Sequence, residues 1–222
     1  MILAGLSTAL PGTSPLHEER LDSVYHQIRA TGARRVLDLG CGSGSLLMRL
    51  LNDPQFEQIV GLEASGAGLA VARTMFSKSL ASGRLALVVG SYADSQPALT
   101  GFDVAAMVET IEHVKPNDLS RVEQSVFGQM RPNCLIMTTP NREYNALLGL
   151  APGEFREEDH KFEWDRQKFM QWARGVAQRN GYSVSFAGIG ESDLELGAPT
   201  QAATFLRSNT ADLKYDAHRT TR

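Results

Sequence analysis

The run Glu109-Thr-Ile-Glu112-His113 sets two carboxylates and an imidazole at positions i, i+3 and i+4. If the chain turns helical there, all three side chains face one way. His160, within Asp159-His-Lys-Phe-Glu-Trp164, offers a second imidazole. Two carboxylates and two imidazoles make a hard, mixed oxygen and nitrogen set suited to Mg2+ or Mn2+, and the imidazoles tilt the choice toward Mn2+. Zinc accepts the same ligands, so residue type alone does not choose the metal. Taken bare, E-x-x-E-H also arises on acidic helices, and a lone histidine such as His160 is often an ordinary surface group.

A second constellation lies upstream. Arg35-Val-Leu-Asp-Leu-Gly-Cys-Gly-Ser-Gly44 places a glycine-rich turn between an apolar strand and a helix. Glycines let backbone approach a ligand closely, at the edge where open α/β sheets bind nucleotides. The spacing is G-x-G-x-G, whereas the dinucleotide fingerprint is G-x-G-x-x-G. Asp38 stands two residues before the loop, which disfavours a pyrophosphate and suits a cationic amino group. The pattern resembles motif I of the S-adenosylmethionine-dependent methyltransferases, with Asp38, Gly40, Cys41 and Gly42 as cofactor-binding candidates. Glu63 ends the next strand, where an acid can chelate ribose hydroxyls. Ser91 and Tyr92 follow the third strand and are candidates to flank an adenine. The competing readings are a glycine turn kept for tight packing and a dehydrogenase.

Positioning these groups requires a particular order of elements. Ser14 caps a helix that ends at Gly32, with Leu21, Val24, Tyr25 and Ile28 on its core stripe. Strands are expected at 35–39, 57–63, 85–89, 102–109 and 134–139. Helices are expected at 45–52, 67–81 and 118–130. That alternation predicts a parallel sheet with helices on both faces, an α/β Rossmann-like fold. A long loop is expected over 141–161, then a helix over 165–180. Strands 182–187 and 202–207 have no helix between them and so pair antiparallel. The organisation expected is one domain over 1–207 and a fraying tail over 208–222.

Composition narrows the class. The 222 residues are 42% hydrophobic and 21% charged, ordinary values for a globular chain. Two cysteines exclude a disulfide scaffold and a four-cysteine zinc site. The longest apolar runs are too short to span a bilayer, and the first residues lack the basic start of a signal peptide. A cytoplasmic location and no membrane partner are expected. Net charge is −3, so no global basic field holds long nucleic acid, though a grip on a strand end is compatible.

Four blocks together resemble a known family: Glu109 to His113, Thr138-Thr-Pro-Asn-Arg-Glu-Tyr-Asn145, Asp159 to Trp164, and Gly190-Glu with Ala198-Pro-Thr-Gln201. They are similar to the Hen-one family of small-RNA 3′-terminal 2′-O-methyltransferases. The resemblance implies a divalent metal on Glu109, Glu112, His113 and His160, and these four residues as the catalytic set. It further implies S-adenosylmethionine as donor, an RNA 3′ end with its 2′,3′-diol as substrate, and an RNA-repair kinase-phosphatase-ligase as partner. Two departures stand out. The segment after the third strand reads Tyr92-Ala93-Asp94, and Glu157 and Glu158 follow Arg156 where relatives are rich in basic residues, which weakens the expected phosphate grip.

A ribose 2′-OH is a poor nucleophile at neutral pH, and a divalent cation can acidify and orient it. Holding the adjacent 3′-OH as well would make a five-membered chelate that only a terminal ribose offers. Lys161, Arg166, Lys168 and Arg142 are candidates for phosphates, and Phe162, Trp164 and Trp172 for stacking a base. Two rivals fit part of the pattern: a metal-dependent catechol-type O-methyltransferase, and a catalytically silent RNA-end-binding module.

Overall fold

The computed structural model describes residues 14–208. The tail expected to fray and the opening residues read for a leader lie outside them, apart from Ser208. The core is one seven-stranded sheet in the order β3-β2-β1-β4-β5-β7-β6. Its strands are β1 (Arg35–Leu39), β2 (Gln58–Glu63), β3 (Leu85–Val89), β4 (Val104–Val108), β5 (Cys134–Pro140), β6 (Tyr182–Ile189) and β7 (Thr200–Arg207). β1 to β5 pair in parallel, while β7 runs antiparallel to both β5 and β6. Among the described residues no helix is long and apolar enough to cross a membrane.

Strand side chains alternate between faces, and each face carries its own apolar layer. Val36, Ile59 and Ile136 pack with α1 (Pro15–Ala30) and α2 (Ser45–Leu51) through Leu21, Val24, Ile28, Leu47 and Leu50. Leu37, Leu135, Met137 and Phe205 pack on the other face. There they meet Val126, Phe127 and Met130, together with Phe169, Ala173 and Val176 of the final helix, Arg166–Asn180. The Ser14 hydroxyl accepts from the His17 amide and caps α1 as its sequence predicts.

Local geometry departs from the expected elements at four places. The helix expected over 67–81 breaks at Phe76 into α3 (Gly66–Met75) and α4 (Ser77–Ala81). The break turns the Phe76 ring beneath Gly44, where an added Cβ would lie 2.5 Å from the ring. The helix expected over 118–130 is a 3-10 turn (Pro116–Asp118), a short α5 (Leu119–Val122) and π-helical turns (Glu123–Met130). The loop after β5 contains a 3-10 helix, Arg142–Leu148, opened by the Asn141 side chain accepting from the Glu143 amide. The fourth strand stops at Val108, and Glu109 leaves it with φ +47°, a left-handed conformation unusual outside glycine.

The Phe127 ring is fully buried, edge-on to Phe205 at 4.9 Å and to Tyr182 at 5.5 Å. Phe127→Ala should therefore cost about 3–5 kcal/mol of unfolding free energy in a denaturant titration. A loss below about 1 kcal/mol would contradict this packing of the helical layer on the sheet.

Candidate functional site

The glycine turn joins β1 to α2 with Gly40 at φ +82° and Gly42 at φ +53°. A Cβ on Gly40 would sit 2.2 Å from the Thr110 hydroxyl, so the turn and the segment after β4 approach as only glycine permits. Glu63 braces the turn: its carboxylate accepts from the Gly42 amide at 3.0 Å and from the Ser65 amide at 2.7 Å. Gly40, Gly42, Glu63, Ser91 and Tyr92 line one open cavity of about 720 Å³, and Glu109, Thr110, His113 and Lys161 line its other side. The buried Tyr92 hydroxyl donates to the Thr110 carbonyl at 2.7 Å, tying the two sides together. Asp38 and Cys41 face a neighbouring hollow of about 290 Å³ that shares Gly40 and Gly42 with the first.

Asp38 is buried, and its Oδ2 has no hydrogen-bond partner among the described residues. Burial, and next the charge of Glu63, push its carboxyl up to about 7. An unpartnered buried acid beside a glycine turn fits a cationic ligand group. Burial likewise pushes the Cys41 thiol well above its ordinary range.

Past β4 the chain forms a single 3-10 turn, Ile111–His113. Ligand atoms of Glu112, His113 and His160 come within 4.8 Å of one another. The two histidine rings stand nearly perpendicular with centroids 4.9 Å apart. Glu112 is fully buried; one oxygen accepts from the Thr139 hydroxyl at 3.0 Å and the other, Oε1, has no partner among the described residues. Glu109 stands outside that trio. Its Oε2 lies 3.2 Å from the buried Arg20 guanidinium, and its Oε1 is also buried without a partner. Burial, then the neighbouring Glu109 charge, hold the Glu112 carboxyl well above the usual carboxylate range. Burial also raises that of Glu109, with Arg20 opposing. Two acids with unpartnered oxygens beside two imidazoles fit a hard divalent cation.

Several supporting residues carry no local signal in the sequence. Arg20 reaches Glu109 and the Thr200 hydroxyl from α1, far away along the chain. Thr139 lies in a quoted block yet is distinguished there only by its burial in the fold. Glu163, three residues after His160, is buried and accepts from the His160 ring at 2.7 Å. His113 has a more exposed partner, Asp159, at 3.1 Å.

The phosphate candidates divide. Lys161 and Arg142 are exposed, and Lys161 lines the cavity. Arg166 is paired with Glu143 and donates to the Glu195 carbonyl, while Lys168 lies 3.7 Å from Asp165. Arg156 is spent on the Asn145 side chain and the Asn141 and Pro199 carbonyls. Lys115 and Arg121, which the sequence does not single out, line the cavity. Phe162, Trp164 and Trp172 form a ring stack with centroid spacings of 4.5 and 5.0 Å, partly buried on the core.

Comparison with known proteins gives four results. A methyltransferase-domain family model matches residues 36–133. The small RNA 2′-O-methyltransferase of Gallus gallus is 35% identical over 208 residues, covering 88% of this chain and 54% of that protein, so the chain spans about half its length. The solved methyltransferase domain of bacterial CtHen1 superposes with a TM-score of 0.77 at 38% identity, covering 86% of this chain and 99% of that one. A chain of the solved Pnkp1/Rnl/Hen1 RNA repair complex shares the fold, with a TM-score of 0.65 at 20% identity over 87% of this chain.

Asp38 generates a pH prediction for S-adenosylmethionine binding. A carboxyl near 7 is mostly neutral below that pH, and a cationic amino group prefers the ionised form. Affinity measured by calorimetry should therefore weaken by up to about tenfold per pH unit as pH falls below 7. Asp38→Asn should bind weakly at every pH and lose this slope. A wild-type affinity that stays flat between pH 5 and pH 8 would contradict the assignment.

Proposed function

The chain belongs to the Hen-one family of small RNA 2′-O-methyltransferases, and from that premise we propose that it methylates the 2′ oxygen of an RNA 3′-terminal ribose. One observation carries this reading. The fully buried Glu112, with an oxygen lacking any partner among the described residues, lies with His113 and His160 beside the cavity lined by the glycine turn and Glu63. A cluster suited to a cation beside an open cavity of about 720 Å³ supports the reading.

Asp38 would hold the amino group of S-adenosylmethionine, with Gly40, Cys41 and Gly42 along its amino-acid portion. Glu63 would accept from the ribose hydroxyls, while Ser91 and Tyr92 would border the adenine. Glu109, Glu112, His113 and His160 would hold Mg2+ or Mn2+; when bound, the cation would lower the pKa of the acceptor hydroxyl and orient it. Thr139 fixes the Glu112 carboxylate by hydrogen bonding to one oxygen, and Arg20 fixes Glu109 likewise. Lys161, exposed at the cavity wall, would be available to a backbone phosphate. Selection of strand ends follows from the vicinal diol, which only a terminal ribose presents. An RNA-repair kinase-phosphatase-ligase as partner and a reducing, cytoplasmic setting, which suits the buried free thiols Cys41 and Cys134, belong to the same proposal.

Labelled methyl transfer with Mn2+ tests the substrate. RNA ending in a 2′,3′-diol should be methylated on its 2′ oxygen, and RNA with a 3′-phosphate or 2′-deoxy end should not. A 3′-deoxy end keeps the nucleophile and should react much more slowly, because the missing hydroxyl serves orientation. Mapping the methyl to an internal ribose, equal rates on 3′-phosphate and 3′-hydroxyl ends, or preferred transfer to a catechol would overturn the proposal. In the same assay Glu112→Ala and His160→Ala should each abolish transfer while donor affinity stays within about threefold, a change smaller than 1 kcal/mol. Full activity in excess chelator would leave the cluster without its assigned role.

A further inference from the structure

His160 is buried, and polar groups hold its ring. Its side chain is 4% exposed and that of Glu163 is 0% exposed, with the ring Nδ1 2.7 Å from Glu163 Oε1. The same Oε1 accepts from the Arg156 amide at 2.8 Å. The other oxygen accepts from the Asn145 side-chain amide at 2.5 Å. The orientation of Asn145 is set in turn, because its oxygen accepts from the Arg156 guanidinium at 2.7 Å. The Arg156 and Asn145 neighbours of Glu163 are both donors, which suits an ionised carboxylate; an ionised carboxylate accepts only, so His160 Nδ1 must carry the proton. In a neutral ring that leaves Nε2 as the lone-pair nitrogen.

We propose that Glu163 is a positioning residue that locks His160 in its Nδ1–H tautomer, so that Nε2 serves the cluster formed with Glu112 and His113. Asn145 and Arg156 are the members of this network that tie it to the segment following β5. The segment that carries His160 is thereby anchored at two points: by the Glu163 network, and by the Lys161 amide donating to the Glu112 carbonyl at 2.8 Å. Only the affinity arm of the test below rests on the metal reading of the cluster.

The tautomer is read directly by nitrogen NMR of histidine-labelled protein at pH 8. Wild type should show His160 protonated on Nδ1, and Glu163→Gln should weaken that preference. The Gln amide places two donors where only acceptors fit, against either Asn145 or His160. Mn2+ affinity, followed by electron paramagnetic resonance without RNA, should fall about 10- to 100-fold in Glu163→Gln. S-adenosylmethionine affinity should not change. The double variant Glu163→Gln/Asn145→Asp restores a donor–acceptor match at both contacts, and it should recover Mn2+ affinity to within about threefold of wild type. It also covers the case in which the single variant folds poorly. A wild-type His160 protonated on Nε2, or unchanged Mn2+ affinity in a folded Glu163→Gln, would overturn the proposal. If wild type shows the Nδ1–H tautomer yet takes up no Mn2+, the metal reading fails and the tautomer lock stands.

Discussion

A fully buried carboxylate, Glu112, and a partly buried one, Glu109, at the end of one strand set the terms for the whole site. Glu109 and Glu112 each keep one oxygen without a partner among the described residues, and their mutual repulsion adds to the cost of burial. An unpaired buried polar atom costs about 1–3 kcal/mol, and more when it is charged. Arg20 offsets part of this through Glu109, and the Thr139 hydroxyl part of it through Glu112. Among the described residues nothing hydrogen-bonds to the two remaining oxygens. Under the proposed function a divalent cation would supply what the fold leaves out, and the two imidazoles would complete its set of ligands.

The surrounding elements follow from that demand. Glu109 takes a left-handed backbone, so the chain leaves β4 abruptly and reaches Glu112 in a tight 3-10 turn rather than a regular helix. Gly40 lets the neighbouring turn come within contact distance of Thr110, and the Tyr92 hydroxyl closes the same gap from the third strand. The glycine turn on one side and Glu109, Thr110 and His113 on the other are therefore walls of one cavity. From the opposite direction, the segment after β5 folds back so that His160 meets His113. The glycine turn, Glu63 and the cluster of Glu112, His113 and His160 are brought together by contacts among backbone turns at the carboxyl ends of parallel strands, where such sheets bind ligands.

Much of this is legible in the amino-acid order because it is local. The glycine spacing with Asp38, the alternation of strands and helices, and the Ser14 cap all appear within a few residues of each other. The antiparallel end of the sheet follows from the missing helix between 187 and 202. What is not legible depends on distant packing. No window around Phe76 shows that its ring must turn under Gly44, so a continuous helix is the natural expectation there. The E-x-x-E-H spacing suggests three side chains on one helical face. The strained turn at Glu109 instead sends that carboxylate to Arg20, while the other two meet His160. Glu163 is hidden for a different reason: an acid among charged residues resembles solvated surface until its burial is known.

The central claim is that the fold holds Glu112 at a cost which a cation relieves. Thermal unfolding of wild type and Glu112→Gln at pH 8, each with and without Mn2+, measures this most directly. A carboxyl whose folded-state pKa lies above its unfolded value destabilises the fold increasingly as pH rises past the unfolded value, and an amide of the same shape escapes that loss. Glu112→Gln should therefore melt above wild type without metal, and Mn2+ should raise the wild-type midpoint but not that of the variant. A variant that melts below wild type without metal, together with a wild-type midpoint indifferent to Mn2+, would contradict the account.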